Sequence, residues 1–147
     1  MTAPSSPPEK APLPTLDDFP LKSFDTIRFG DTDKQGHVNN AVFSSYLESG
    51  RSQMLLGPGH SAAPEGFAFV IVRLVLDYRA EIIWPGTVDI GTRVSNLGRS
   101  SVGIVQGLFQ DGKCVATADT VLVLFDPQTR RAAELPPESR AFLSQYM

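Results

Sequence analysis

Ten consecutive positions, Asp31-Thr32-Asp33-Lys34-Gln35-Gly36-His37-Val38-Asn39-Asn40, hold two carboxylates, an imidazole, a glycine and three side-chain amides. A carboxylate can attack a carbonyl carbon, or activate a water that does, when nearby donors hold the developing oxyanion. A strand-like run precedes this stretch and a helix-like run follows it, so it reads as a polar loop entering a helix N-terminus. Such an end offers unpaired backbone N–H groups and the positive end of the helix dipole. The same residue types also build ordinary turns and caps. The residues alone therefore leave a catalytic loop and a plain turn both open.

Other chemistries lack support. Gly98-Arg99-Ser100-Ser101-Val102-Gly103 misses the G-x-S-x-G spacing of a nucleophile elbow by one residue. There is no P-loop and no G-x-G-x-x-G. His37 and His60 are the only histidines, which leaves a serine triad poorly supplied. The single cysteine, Cys114, sits in an apolar run and reads as a small core residue. It cannot form an intramolecular disulfide, and no cysteine–histidine spacing suggests a metal site. A carboxylate at a helix terminus can catalyse hydrolysis without metal or cofactor, and neither is expected here.

The elements that must position the loop can be read from periodicity. With 147 residues, 41% of them hydrophobic and 20% charged, the chain suits one domain with a sizeable core. Residues 1–21 are expected to be a disordered, proline-rich leader, and residues 22–147 the folded domain. Alternation over 22–30 predicts a first strand. Phe43, Tyr46, Leu47, Gly50 and Met54 form a helical stripe, Asn39 or Asn40 can cap it, and Gly57-Pro58 stops it. Gly50 in mid-helix implies close packing on a sheet. Glu48 and Arg51, one turn apart, could pair and read as a solvated or partly buried face. Residues 67–79 predict a strand buried on both faces over its first half, and 88–94 a strand buried on one face. Strands over 101–110 and 113–125 are joined by the hairpin signal Asp111-Gly112. Pro136-Pro137-Glu138 opens a short terminal helix. The fold class is α+β: an antiparallel sheet with one face covered by one long helix. The net charge of -3 implies no polybasic surface, so no nucleic-acid partner is expected. The absence of a membrane-length apolar run or signal-like N-terminus makes a soluble, cytoplasmic protein the default.

The segment from Phe29 through Gly36-His37-Val38-Asn39-Asn40 to Phe43, followed by Tyr46-Leu47-Glu48 and Arg51, resembles the opening motif of hotdog-fold acyl-CoA thioesterases of the 4-hydroxybenzoyl-CoA thioesterase type. The resemblance continues through Leu76-Asp77-Tyr78-Arg79, Pro85-Gly86, Gly98-Arg99-Ser100-Ser101 and Leu135-Pro136-Pro137. It implies a hotdog fold, a five-stranded antiparallel sheet wrapped around one long helix. It also implies that Asp33 is the catalytic carboxylate, as nucleophile or as general base, and that the Asn40 backbone N–H polarises the thioester carbonyl. Substrate contacts are implied for His37, for Tyr46 or Phe43 in an apolar acyl pocket, and for Arg99, Ser100 and Ser101 near the coenzyme A arm. The implied partner is an acyl-CoA, and the implied assembly a homodimer or homotetramer with sites between subunits. Gly36-His37-Val38-Asn39-Asn40 is also similar to the corresponding segment of acyl-ACP thioesterases, so an acyl-ACP substrate is one alternative. A non-catalytic acyl-CoA-binding hotdog module is the other.

Overall fold

The computed structural model describes residues 11–147. Six strands, β1 (Leu21–Thr26), β2 (Ala68–Tyr78), β3 (Thr87–Leu97), β4 (Ser101–Gln110), β5 (Lys113–Asp126) and β6 (Arg131–Ala132), accompany two helices, α1 (Val42–Leu55) and α2 (Pro137–Ser144). All pairings are antiparallel, and the strand order is β1-β3-β4-β5-β2, with β6 added to β5. The expected α+β architecture is therefore present, with a sixth, two-residue strand that the pattern does not announce.

Local chemistry accounts for these elements. Asp111 and Gly112 both take positive φ (51° and 79°), which is the two-residue turn that matches strand twist and joins β4 to β5. Along β5, Ala116, Ala118, Thr120, Leu122 and Leu124 are buried on alternate positions, as one sheet face against a core requires. The stripe of α1 is buried at Phe43, Tyr46, Leu47, Gly50 and Met54. A Cβ on Gly50 would stand 2.5 Å from Ile90 Cγ2 and 2.8 Å from Gln106 Nε2. The glycine is there because the helix backbone lies directly on β3 and β4.

Four expectations change. β1 ends at Thr26, and a single 3-10 turn, Phe29–Asp31, replaces its predicted continuation. β2 is not buried on both faces: Val70, Ile71, Val72 and Val75 are 37–59% exposed, because β2 is an edge strand whose only partner is β5. Arg51 is not part of a solvated pair. It is buried, and its partner is the Gln106 side chain, not Glu48. Finally, residues 1–10 of the expected leader lie outside the described residues, while Phe19 is buried against Phe109 and Leu21 already belongs to the sheet. No helix among the described residues is long and apolar enough to cross a membrane.

Candidate active site

The loop between the 3-10 turn and α1 is anchored at its start by Asp31. This carboxylate is buried. One oxygen accepts the Arg28 N–H at 2.9 Å and the Tyr46 hydroxyl at 2.8 Å; the other faces the Arg28 guanidinium at 3.0–3.2 Å. Burial alone would push its pKa up. The bonds from Arg28 and Tyr46 outweigh that and hold it below the ordinary aspartate range. Burial, together with the bond to Asp31, pushes the Tyr46 hydroxyl in the opposite direction, upward. Asp31 is thus a bracket that ties β1, the loop and α1 together.

Beyond this bracket the chain makes a tight reversal. The Asp33 N–H donates to the His37 carbonyl at 2.8 Å, Gly36 takes φ +80°, and Thr32 bridges Val38. The left-handed turn needs Gly36. Asp33 is exposed at the tip, where Oδ1 accepts the Gln35 N–H at 2.8 Å. The returning arm is pinned to the segment after β2: the Val38 N–H donates to Ile82 O, and His37 bridges Ile83. Ile83 in turn exchanges two hydrogen bonds with the Gln110 side-chain amide. His37 Nε2 lies 3.3 Å from Glu81 Oε2.

The approach to α1 fixes the Asn40 peptide. The Asn39 side chain accepts the Ala41 N–H at 3.0 Å, and the Asn39 carbonyl accepts the Val42 N–H at 2.9 Å. The N-cap is Ala41, without a side-chain cap bond, so neither Asn39 nor Asn40 caps α1 as expected; the Asn39 side chain instead closes a turn ahead of the helix. Because a peptide is planar and trans, turning the Asn39 carbonyl toward Val42 turns the Asn40 N–H the opposite way, out of the helix. No group among the described residues accepts that N–H. On its other side, the Asn40 carbonyl accepts the Tyr78 hydroxyl at 2.8 Å, and the Tyr78 ring stands edge-on to Phe43.

These residues share a groove of about 420 Å³ lined by Asp33, His37, Asn40, Phe43, Tyr78 and Glu81, among others. The structure brings Asp33, Asn40, His37 and Phe43 together. It does not bring the other candidates to them. Tyr46 is in the core with its hydroxyl committed to Asp31. Arg99, Ser100 and Ser101 form the β3–β4 turn, at the end of the sheet where Ser101 pairs with Val123 and Val123 with Val70, while the groove lies at the Tyr78 end. Arg99 itself is exposed, 3.8 Å from Glu134. Two lining residues, Tyr78 and Glu81, carry no local signal, since they reach the loop from some 40 positions downstream. Among the described residues no cluster of three or more His, Cys, Asp or Glu could hold a metal.

A carboxylate and an outward-facing helix-terminal N–H in one groove suit acyl transfer to water, and comparison with known proteins decides the family. Residues 27–143 match the model of the thioesterase-like superfamily. The chain belongs to this superfamily. It adopts the hotdog fold and is a thioester hydrolase. Among solved structures it is similar to a thioesterase from Thermus thermophilus complexed with coenzyme A and zinc, at 34% identity and a TM-score of 0.71 over 85% of this chain and 92% of that one. It is similar to the PA5185 protein of Pseudomonas aeruginosa strain PAO1, at 26% identity and a TM-score of 0.82 over 92% and 97%. A predicted thioesterase from Bacillus stearothermophilus is 25% identical, with a TM-score of 0.78 over 86% and 96%. A search of curated proteins found no match.

Proposed function

We propose that this thioester hydrolase acts on acyl-CoA, with Asp33 as nucleophile or general base and the Asn40 N–H as oxyanion donor. The observation that carries this reading is the orientation of the Asn40 peptide. The Val42 bond to the Asn39 carbonyl turns its N–H away from the helix, and Asn40 lines the same groove as Asp33. A thioester carbonyl seated on that N–H has its carbon within the reach of an exposed carboxylate, and the donor gains strength as negative charge builds on the oxygen. His37, held beside Glu81, contacts the substrate at the groove's rim. The coenzyme A complex of the Thermus thermophilus relative supports CoA as the carrier.

The assembly in this reading is a dimer formed along the open edge of β2. Antiparallel pairing of two β2 strands brings the Val70 end of one copy to the Tyr78 end of the other. The Arg99-Ser100-Ser101 turn of the second copy then approaches the first copy's groove, where an arginine suits a phosphate of the coenzyme.

The test is turnover of a panel of acyl-CoA substrates by Asp33→Asn and Asp33→Ala. Both should lose about 10²–10⁴-fold in kcat, the usual worth of a positioned acid or base, with an unchanged circular dichroism spectrum. Rates within a few-fold of the parent would remove Asp33 from the chemistry. Matched acyl-ACP substrates, run alongside, show which carrier is preferred.

A further inference from the structure

A second cavity, of about 230 Å³, lies further along α1 and is lined by Glu48, Arg51, Ser52, Phe69, Ile71 and Leu122, among others. Its one deeply placed charge is Arg51, only 7% exposed. Nη1 reaches Gln106 Oε1 at 3.4 Å, and this is the side chain's one hydrogen bond among the described residues. No carboxylate there lies within ion-pairing distance: Glu48, exposed at the same cavity, makes no pair with it. Gln106 cannot reorient to offer more, because its amide nitrogen is committed to Leu47 O and Thr92 Oγ1, both at 3.0 Å. Thr120, on the same face of the sheet, is buried with its hydroxyl unpartnered. A buried guanidinium is costly to leave without an acceptor. Its forked donors fit a carboxylate in two parallel bonds.

The cavity and the catalytic groove lie on one seam. α1 packs over β1, β3 and β4, and it faces the inner side of β2 through Phe43 and Tyr78. The groove occupies the start of the seam, at Phe43 and Tyr78, and the Arg51 cavity its continuation, at Phe69 and Ile71. Leu74 and Leu76, only partly buried, form the floor between them. From Asn40 to Arg51 the helix rises about 16 Å, and side chains on a helix lean toward its N-terminus, so the guanidinium shortens that span. An acyl chain of medium length whose carbonyl sits on the Asn40 N–H would run over apolar residues and end at Arg51.

We infer that Arg51 receives a carboxylate at the far end of the acyl group, so that the substrates are mono-CoA thioesters of medium-length dicarboxylic acids. This rests on the acyl-CoA hydrolase reading above. The experiment compares kcat/KM for adipoyl-, suberoyl- and sebacoyl-CoA with hexanoyl-, octanoyl- and decanoyl-CoA, and separately follows binding of free suberate by calorimetry. The ω-carboxylated substrate of the best pair should be preferred at least tenfold. Arg51→Met should abolish that preference and suberate binding, and Arg51→Lys should keep part of both. The preference is read on the unaltered protein, so it decides the matter even if Arg51→Met does not fold. Turnover with equal or lower rates on the ω-carboxylated substrates overturns the inference and leaves the hydrolase reading intact. Arg51-dependent suberate binding with no turnover of any of these CoA thioesters overturns the acyl-CoA reading and leaves the carboxylate site standing.

Discussion

Two aspartates two positions apart carry opposite burdens. Asp31 is buried and bonded on both oxygens, while Asp33 is exposed with one oxygen on a single backbone N–H. Replacing Asp31 by asparagine should lower stability by about 2 kcal/mol at pH 7, the worth of hydrogen bonds to a charged acceptor. Its folded pKa is lowered from the ordinary 3.8, so the contribution is complete above that value and is lost as pH falls through the folded one. Urea unfolding of Asp31→Asn and the parent should therefore differ at neutral pH and converge in acid once the pH falls below the folded pKa. Tyr78→Phe tests the sheet side of the Asn40 peptide. Losing one bond of about 1 kcal/mol should reduce kcat by about three- to tenfold at nearly constant KM, with stopped-flow hydrolysis as the readout. The spacing of Asp33, Gly36 and Asn40 was legible because a turn and a helix start are local events. Tyr78 and Glu81 were not, since only the sheet's curvature brings them to the loop. Tyr46 was misplaced for a related reason: helical spacing puts it on an apolar face but does not say which neighbour takes its hydroxyl.

Gly50 and Arg51 are adjacent in α1 and show how a helix can be tight on one flank and border a cavity on the other. Alanine at position 50 would gain up to about 1 kcal/mol in helix propensity. Its Cβ would stand 2.5 Å from Ile90 Cγ2, so either the helix or β3 must move. Forced insertion of this kind costs about 1–3 kcal/mol, and the net effect of Gly50→Ala should be a lower Tm, measured by differential scanning calorimetry. The stripe at Phe43, Tyr46, Leu47 and Met54 made α1 legible, and Asp111-Gly112 did the same for the β4–β5 hairpin. The burial of Arg51 was not legible. A charged residue one turn from Glu48 looks solvated in sequence, and only the polar pair Thr92 and Gln106, side by side on β3 and β4 and far from α1 in sequence, explains how the core accepts it.

At the scale of the molecule, the strand read as buried on both faces forms the longer free edge of the sheet. Its apolar alternation was legible; its neighbour was not, because an antiparallel sheet can close its edge with its own chain or with another copy. Val70, Ile71, Val72 and Val75 leave an apolar, unpaired ladder that a monomer would expose to aggregation. The opposite edge is shorter: β1 has six residues against eleven in β2, and Phe19 packs beside it over Gly91. In the proposed dimer a second copy pairing at β2 would satisfy the ladder and bring Arg99 of each subunit toward the other's groove. Val72→Pro would remove one ladder donor, and Val72→Lys would add a like charge beside the pairing axis. Both should shift the dimer to monomer in light scattering. If the Asp33 groove is completed across the interface, hydrolysis should fall in parallel and recover with protein concentration for Val72→Lys. A monomeric variant with undiminished turnover at every concentration would show instead that one chain's groove is sufficient.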